Sequence, residues 1–137
     1  MKNFVLDSHA FLAFLNKENG WEKVLSIISE AQQSEIKLPM SAINWGEILY
    51  QARRKDGVAG AIFIEEHIQD SAIEIILPTL EHVRKAAELK SYRVSSYADC
   101  FAAALALELD LPVLTGDPEF KSLEEYGVKV EWLPQKR

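Results

Sequence analysis

Short apolar runs alternate along this chain with longer segments in which apolar residues recur every three or four positions. Asn3 to Leu6 reads as a strand, followed by helices from about Ser8 to Leu15 and from about Trp21 to Gln33. Lys37 to Pro39 is a weak, short strand. Ser41 to Arg54 reads as a helix with Ser41 as its N-cap, Asp56-Gly57 breaks it, and Val58 to Gln69 is helical again. Ile73 to Leu77, apolar and β-branched, is a strand. Thr79 caps a helix to about Ser91, and Ser96 to Leu109 is the next helix. A strand at Pro112 to Thr115, a short helix at Pro118 to Tyr126 and a last strand at Val128 to Trp132 complete the pattern.

Strands separated by helices imply an α/β fold with a parallel sheet covered by helices. Ligands of such sheets bind at the carboxyl ends of the strands, and helices that run back along the sheet start at that same rim. Residues just after a strand and residues in the first turns of a helix are then neighbours in space.

The length, 137 residues, suits one domain spanning 1–137. No apolar run approaches a membrane span, and Asp7 interrupts the apolar start too early for a signal peptide. The only cysteine, Cys100, can form no internal disulfide, so a cytoplasmic setting is expected. The net charge of −6 disfavours a nucleic-acid partner on its own. Its distribution softens that argument, because Arg53, Arg54 and Lys55 form one basic group and Arg84, Lys85, Lys90 and Arg93 another. Either group also fits a solvated helix face, with Glu81 and Lys85 as an i,i+4 pair.

Four acids stand out. Asp7 directly follows the first strand and can cap the helix at Ser8. Asp117 follows PVLT and precedes Pro118, as an N-cap would. Asp99 lies three residues after Ser96, a capping-box spacing, and opens a helix that is apolar nearly all round and therefore buried. Glu47 sits too far into its helix to cap and has no local cation, so it either faces water or meets a positive group from elsewhere. Capping accounts for each aspartate singly. The rim geometry lets all four acids converge, and converging carboxylates would repel unless a divalent cation joined them. Hard oxygen ligands suit Mg²⁺ or Mn²⁺, and the matching chemistry is phosphodiester hydrolysis.

The four segments FVLD, SAINWGEILY, SYADCFAAALA and LTGDPEF, in this order over essentially the whole chain, resemble the PIN-domain ribonucleases, and most closely the VapC-type toxins of toxin–antitoxin pairs. The resemblance implies a three-layer α/β/α sandwich with a central parallel sheet of four or five strands, and metal-dependent cleavage of RNA. Asp7, Glu47, Asp99 and Asp117 match the family's acidic quartet, with Asp7 and Asp99 as the firmest metal ligands. Thr115 matches a small hydroxyl residue able to hold Asp117 or a metal-bound water, and Ser8 stands where the family has Thr or Ser. A homodimer and a cognate antitoxin, whose tail presents a basic residue to the acids, are implied as partners. No family signature falls on Ala59 to Ile73.

Other readings are weaker. Cys100 reads as core, His9 is close enough to Asp7 to touch a substrate, and no phosphate-binding G-x-x-x-x-G-K-[ST] loop exists. A haloacid-dehalogenase-type phosphotransferase would need an Asp where His9 stands. A non-cleaving RNA-binding or interaction module on the same fold, and a housekeeping RNA-processing nuclease, are the alternatives.

Overall fold

The computed structural model describes residues 2–92 and 95–134, and strand and helix alternate as the periodicity predicts. In chain order the elements are β1 (Val5–Leu6), α1 (Ser8–Leu15), α2 (Trp21–Gln33), β2 (Leu38–Ser41), α3 (Ala42–Ile68) and β3 (Ile73–Ile76). They continue with α4 (Leu80–Ser91), α5 (Tyr97–Leu109), β4 (Val113–Thr115), α6 (Phe120–Leu123), a 3-10 turn at Glu124–Tyr126, and β5 (Val130–Trp132).

All strand pairs are parallel. β4 lies between β1 and β5, with Val5 opposite Val113 and Thr115 opposite Trp132. β2 pairs with β3, Leu38 opposite Ile73. β1 runs beside β2 without a continuous ladder, so five strands form one layer built from a group of three and a group of two.

Alternation along the short strands sorts the core onto two faces. Leu6, Leu38, Met40 and Leu114 meet α1, α2 and the flanks of α3. Val5 and Val113 meet α4, α5 and α6, with Phe120 and Leu123 closing that side. The result is a helix layer on each face of the sheet, the three-layer α/β/α arrangement. Burying each such aliphatic side chain is worth about 1.5–3 kcal/mol, which explains why so short a strand as Val5–Leu6 holds its place.

Some boundaries move. β2 runs to Ser41, beyond the expected Pro39, because Ser41 both ends the strand and caps α3 by accepting the Ile43 N–H at 3.2 Å. Gly57, at φ 72 and ψ −168, interrupts α3 where Asp56-Gly57 was expected to break it, and only a residue without a side chain takes that φ freely. The expected helix at Pro118 to Tyr126 is shorter: Pro118 and Glu119 belong to a turn, and helix begins at Phe120. Glu81 pairs with Arg84, and Lys85 with Glu88, in place of the expected Glu81–Lys85 pair. These are exposed pairs of the kind that add little stability. Arg93 of the second basic group lies outside the described residues.

Candidate metal centre

The carboxyl ends of β1, β2 and β4 and the first turn of α5 share one rim, and the acids gather there. Asp7, immediately after β1, is entirely buried. Its Oδ1 accepts the Ala10 N–H at 2.8 Å and caps α1, whereas its Oδ2 has no partner among the described residues. Burial pushes the Asp7 carboxyl up to about 8; the Thr115 hydroxyl and the Ala10 N–H pull it down, while Asp99 and Asp117 push further upward.

Asp99 is also buried. Ser96 caps α5 by accepting the Asp99 N–H at 3.2 Å, but Asp99 Oδ2 has no partner among the described residues. Burial raises its carboxyl to about 7, chiefly with Asp117 beside it and Glu119 adding to the push, against the Ser96 hydroxyl. Carboxyl oxygens of Asp99, Asp117 and Glu119 all lie within 4.8 Å of one another.

Asp117 is held by a turn and not by the helix cap expected of it. Its N–H donates to Thr115 Oγ1 at 3.0 Å, and its Oδ1 accepts the Glu119 N–H at 3.0 Å. That turn swings Glu119 into the group. Sequence reasoning passed over Glu119; the available signal was its place two residues after Asp117, hidden by the assumption that helix starts at Pro118.

Glu47 stands in the second turn of α3, half-buried, on the wall of the same cavity. The Ser8 hydroxyl donates to Glu47 Oε1 at 2.7 Å. Asn44, buried and not singled out from sequence, donates from Nδ2 to Glu47 Oε1 at 3.5 Å and to the Ala98 carbonyl at 3.3 Å, joining α3 to the start of α5. Glu47 is therefore outside the three-acid group but fixed beside it.

The cavity, about 500 Å³, is lined by Ser8, His9, Glu47, Asp99, Asp117 and Glu119 among others. Asp7 does not reach its surface. His9 is held there by the Gly116 N–H, which donates to His9 Nδ1 at 3.3 Å.

These residues fit a divalent cation with oxygen ligands. Among the described residues, two buried carboxylates keep an unpartnered oxygen each, and burial makes both resist ionisation. Cys100 has no comparable chemistry: it is buried, and burial with Asp99 adjacent pushes its thiol up to about 11.

Two further cavities continue from the acids. One, about 420 Å³, shares Asn16 and Gln51 with the acidic cavity and includes Lys55. The next, about 340 Å³ and largely apolar, lies between α1, α2 and the second half of α3 and shares Phe63 and Ile64 with the first. Together they form a trough that leads from carboxylates to aromatic and aliphatic side chains.

A PIN domain family model matches residues 4–126. A search of curated proteins finds no match. Among solved structures, the DNA-bound VapBC of Salmonella typhimurium superposes with TM-score 0.72 at 16% identity, covering 98% of this chain and 100% of that one. VapBC2 of Rickettsia felis, bound to a promoter DNA fragment, gives 0.70 at 13% identity over 98% and 99%. FitAcB of Neisseria gonorrhoeae gives 0.69 at 19% identity over 93% and 95%. Among the described residues, no helix is long and apolar enough to cross a membrane.

Proposed function

The chain belongs to the PIN-domain family, and from that premise we propose that it is a metal-dependent endoribonuclease, a single domain over 1–137, acting as the toxin of a toxin–antitoxin pair. The observation that carries this reading is the gathering of Asp99, Asp117 and Glu119 within 4.8 Å beside the buried, half-satisfied Asp7.

Asp99, Asp117 and Glu119 would hold Mg²⁺ or Mn²⁺, with the buried Asp7 in support. Glu47, fixed by Ser8, would complete the set. The chemistry supplied by a bound cation is activation of water and neutralisation of charge on the phosphate under attack. The chain's own part is to hold Asp99, Asp117 and Glu119 within 4.8 Å of one another, with Asp7 buried behind them and Glu47 fixed beside them. Thr115 acts on two of them: its hydroxyl oxygen accepts the Asp117 N–H, and the same hydroxyl pulls the Asp7 carboxyl down.

Solved structures of similar fold are toxin–antitoxin complexes, which favours the toxin over a housekeeping nuclease. The trough favours it too, since an apolar groove ending in carboxylates suits an antitoxin tail with a basic residue at its tip. A cytoplasmic homodimer completes the proposal.

Purified protein incubated with total RNA is expected to cut it in Mg²⁺ or Mn²⁺, and to lose this activity in EDTA and in Asp99→Asn. Cutting that survives both treatments would refute the reading.

A further inference from the structure

His9 has no part in holding the proposed cation, and the role inferred for it rests on the nuclease reading. The residue is the second of α1, exposed, and its side chain lies on the cavity wall that carries Asp99, Asp117 and Glu119. Its ring is held in place from the other side of the rim, by Gly116 at the end of β4.

Two features fix the ring. The Gly116 N–H donates to Nδ1 at 3.3 Å. A Cβ at position 116 would lie 2.8 Å from the ring's Cε1, closer than side chains tolerate. Gly116 is not among the glycines with positive φ, so what its missing side chain provides is room for the ring, which a Cβ there would push aside. The backbone of LTGD is built to receive the imidazole of His9.

A ring nitrogen that accepts a hydrogen bond carries no proton, so with Nδ1 accepting the Gly116 N–H the ring's proton lies on Nε2. Among the described residues no group pairs with Nε2. Of the other neutral side chains of this wall, the Ser8 hydroxyl donates to Glu47, Ser96 Oγ accepts the Asp99 N–H, and Asn16 Oδ1 accepts from Lys55 Nζ at 2.8 Å. His9 is therefore an N–H donor without an acceptor, on a wall otherwise rich in acceptors.

We propose that His9 is a substrate-contacting residue whose Nε2–H donates to a non-bridging oxygen of the RNA phosphodiester seated in the acidic cavity. An anionic ligand entering among carboxylates needs a donor besides the cation. A lysine or arginine at this place would pair with Asp117 or Glu119 in the free protein and compete for the cation site. An imidazole whose Nδ1 is taken by the Gly116 N–H keeps its Nε2–H available. Its bond to Gly116, the residue before Asp117, ties the donor to one of the acids, so phosphate and cation are located by one piece of backbone.

The test separates donor from anchor. His9→Ala removes both. His9→Asn keeps an oxygen able to accept the Gly116 N–H but cannot reach the place of Nε2. The substrate is a synthetic RNA oligonucleotide bearing the cut site mapped on total RNA with the wild-type protein. Both variants are expected to lose ~10–100-fold in kcat/KM, mainly through KM, as befits a hydrogen bond to a charged group. Mn²⁺ affinity by calorimetry should stay within about twofold of wild type. Long-range ¹H–¹⁵N spectra of histidine-labelled protein should show the proton on Nε2, with that nitrogen shifting when the oligonucleotide is added. Wild-type kinetics in His9→Asn would make the residue a structural anchor and overturn the proposal, as would undiminished His9→Ala or a proton found on Nδ1. If the wild-type protein cuts no RNA with either metal, the nuclease reading itself falls and takes this one with it. A cutting wild type with an unimpaired His9→Ala removes His9 alone.

Discussion

The Ser8 hydroxyl donates to Glu47 Oε1 at 2.7 Å, joining the residue after Asp7 to the second turn of α3. The bond orients an acid that no local cation restrains. Ser8→Ala leaves Glu47 Oε1 with Asn44 alone, at 3.5 Å. Expected are a stability loss of about 1 kcal/mol and ~10-fold weaker Mn²⁺ binding, as for other residues that orient a ligand. Calorimetry with Mn²⁺ and a thermal melt measure the two effects, and unchanged affinity would place Glu47 outside the metal's surroundings.

Asp7 makes metal-free stability depend on pH. Its carboxyl stands at about 8 in the folded chain against an ordinary 3.8. Below about pH 4 folded and unfolded chains both hold the proton and nothing is lost. As pH rises from about 4 to 8 the folded chain alone keeps it, so stability falls, and above about 8 the loss is complete. Asp99, at about 7, acts in the same direction over a narrower window. Melts without metal should therefore decline from about pH 5 to about pH 8.5 more steeply in wild type than in Asp7→Asn, whose side-chain oxygen can still cap α1. Mg²⁺ should raise the wild-type Tm most at the alkaline end. Parallel profiles for the two proteins would show that Asp7 ionises freely.

Ser96 links a helix cap to the acidity of the site. It accepts the Asp99 N–H at 3.2 Å, and its hydroxyl also holds the Asp99 carboxyl down. Ser96→Ala should cost about 1 kcal/mol as a lost cap. It should also move the pH midpoint of Mn²⁺ binding upward, because Asp99 then gives up its proton less readily. A midpoint that stays put while stability drops would leave Ser96 with the cap alone.

The sequence displayed the layers better than the details of the site. Short continuous apolar runs such as FVL and VLT, and the nearly uniform apolarity from Cys100 to Leu107, carry the burial that defines sheet and core, so both were legible. Asp7 and Asp99 were legible because rim position follows from topology. Glu119 was not, because its place depends on the turn in which Asp117 accepts the Glu119 N–H, and Pro118 reads locally as a helix start. Asn44 was hidden for a different reason: its value lies in the contact with Ala98, 54 residues away, which no local pattern encodes. The hold of Gly116 on His9 spans 107 residues and was equally invisible.

The trough makes partner binding separable from catalysis. Phe63 is 58% exposed, stacks on His67 with ring centroids 4.0 Å apart, and lines both outer cavities while staying out of the acidic one. An exposed aromatic in such a position costs the free protein apolar hydration and repays it only when covered. Phe63→Asp removes that incentive and sets a charge where an apolar tail would lie. Co-expression with the protein encoded by the adjacent frame should then give no stable complex, and cell growth should stay inhibited where wild type is neutralised. RNA cleavage by the purified variant should match wild type, because no acid or acid-holding residue is touched, and its Tm should change little at so exposed a site. A variant that still captures the adjacent protein would shift the antitoxin away from this trough, and one that loses cleavage would mean the apolar cavity serves the RNA as well.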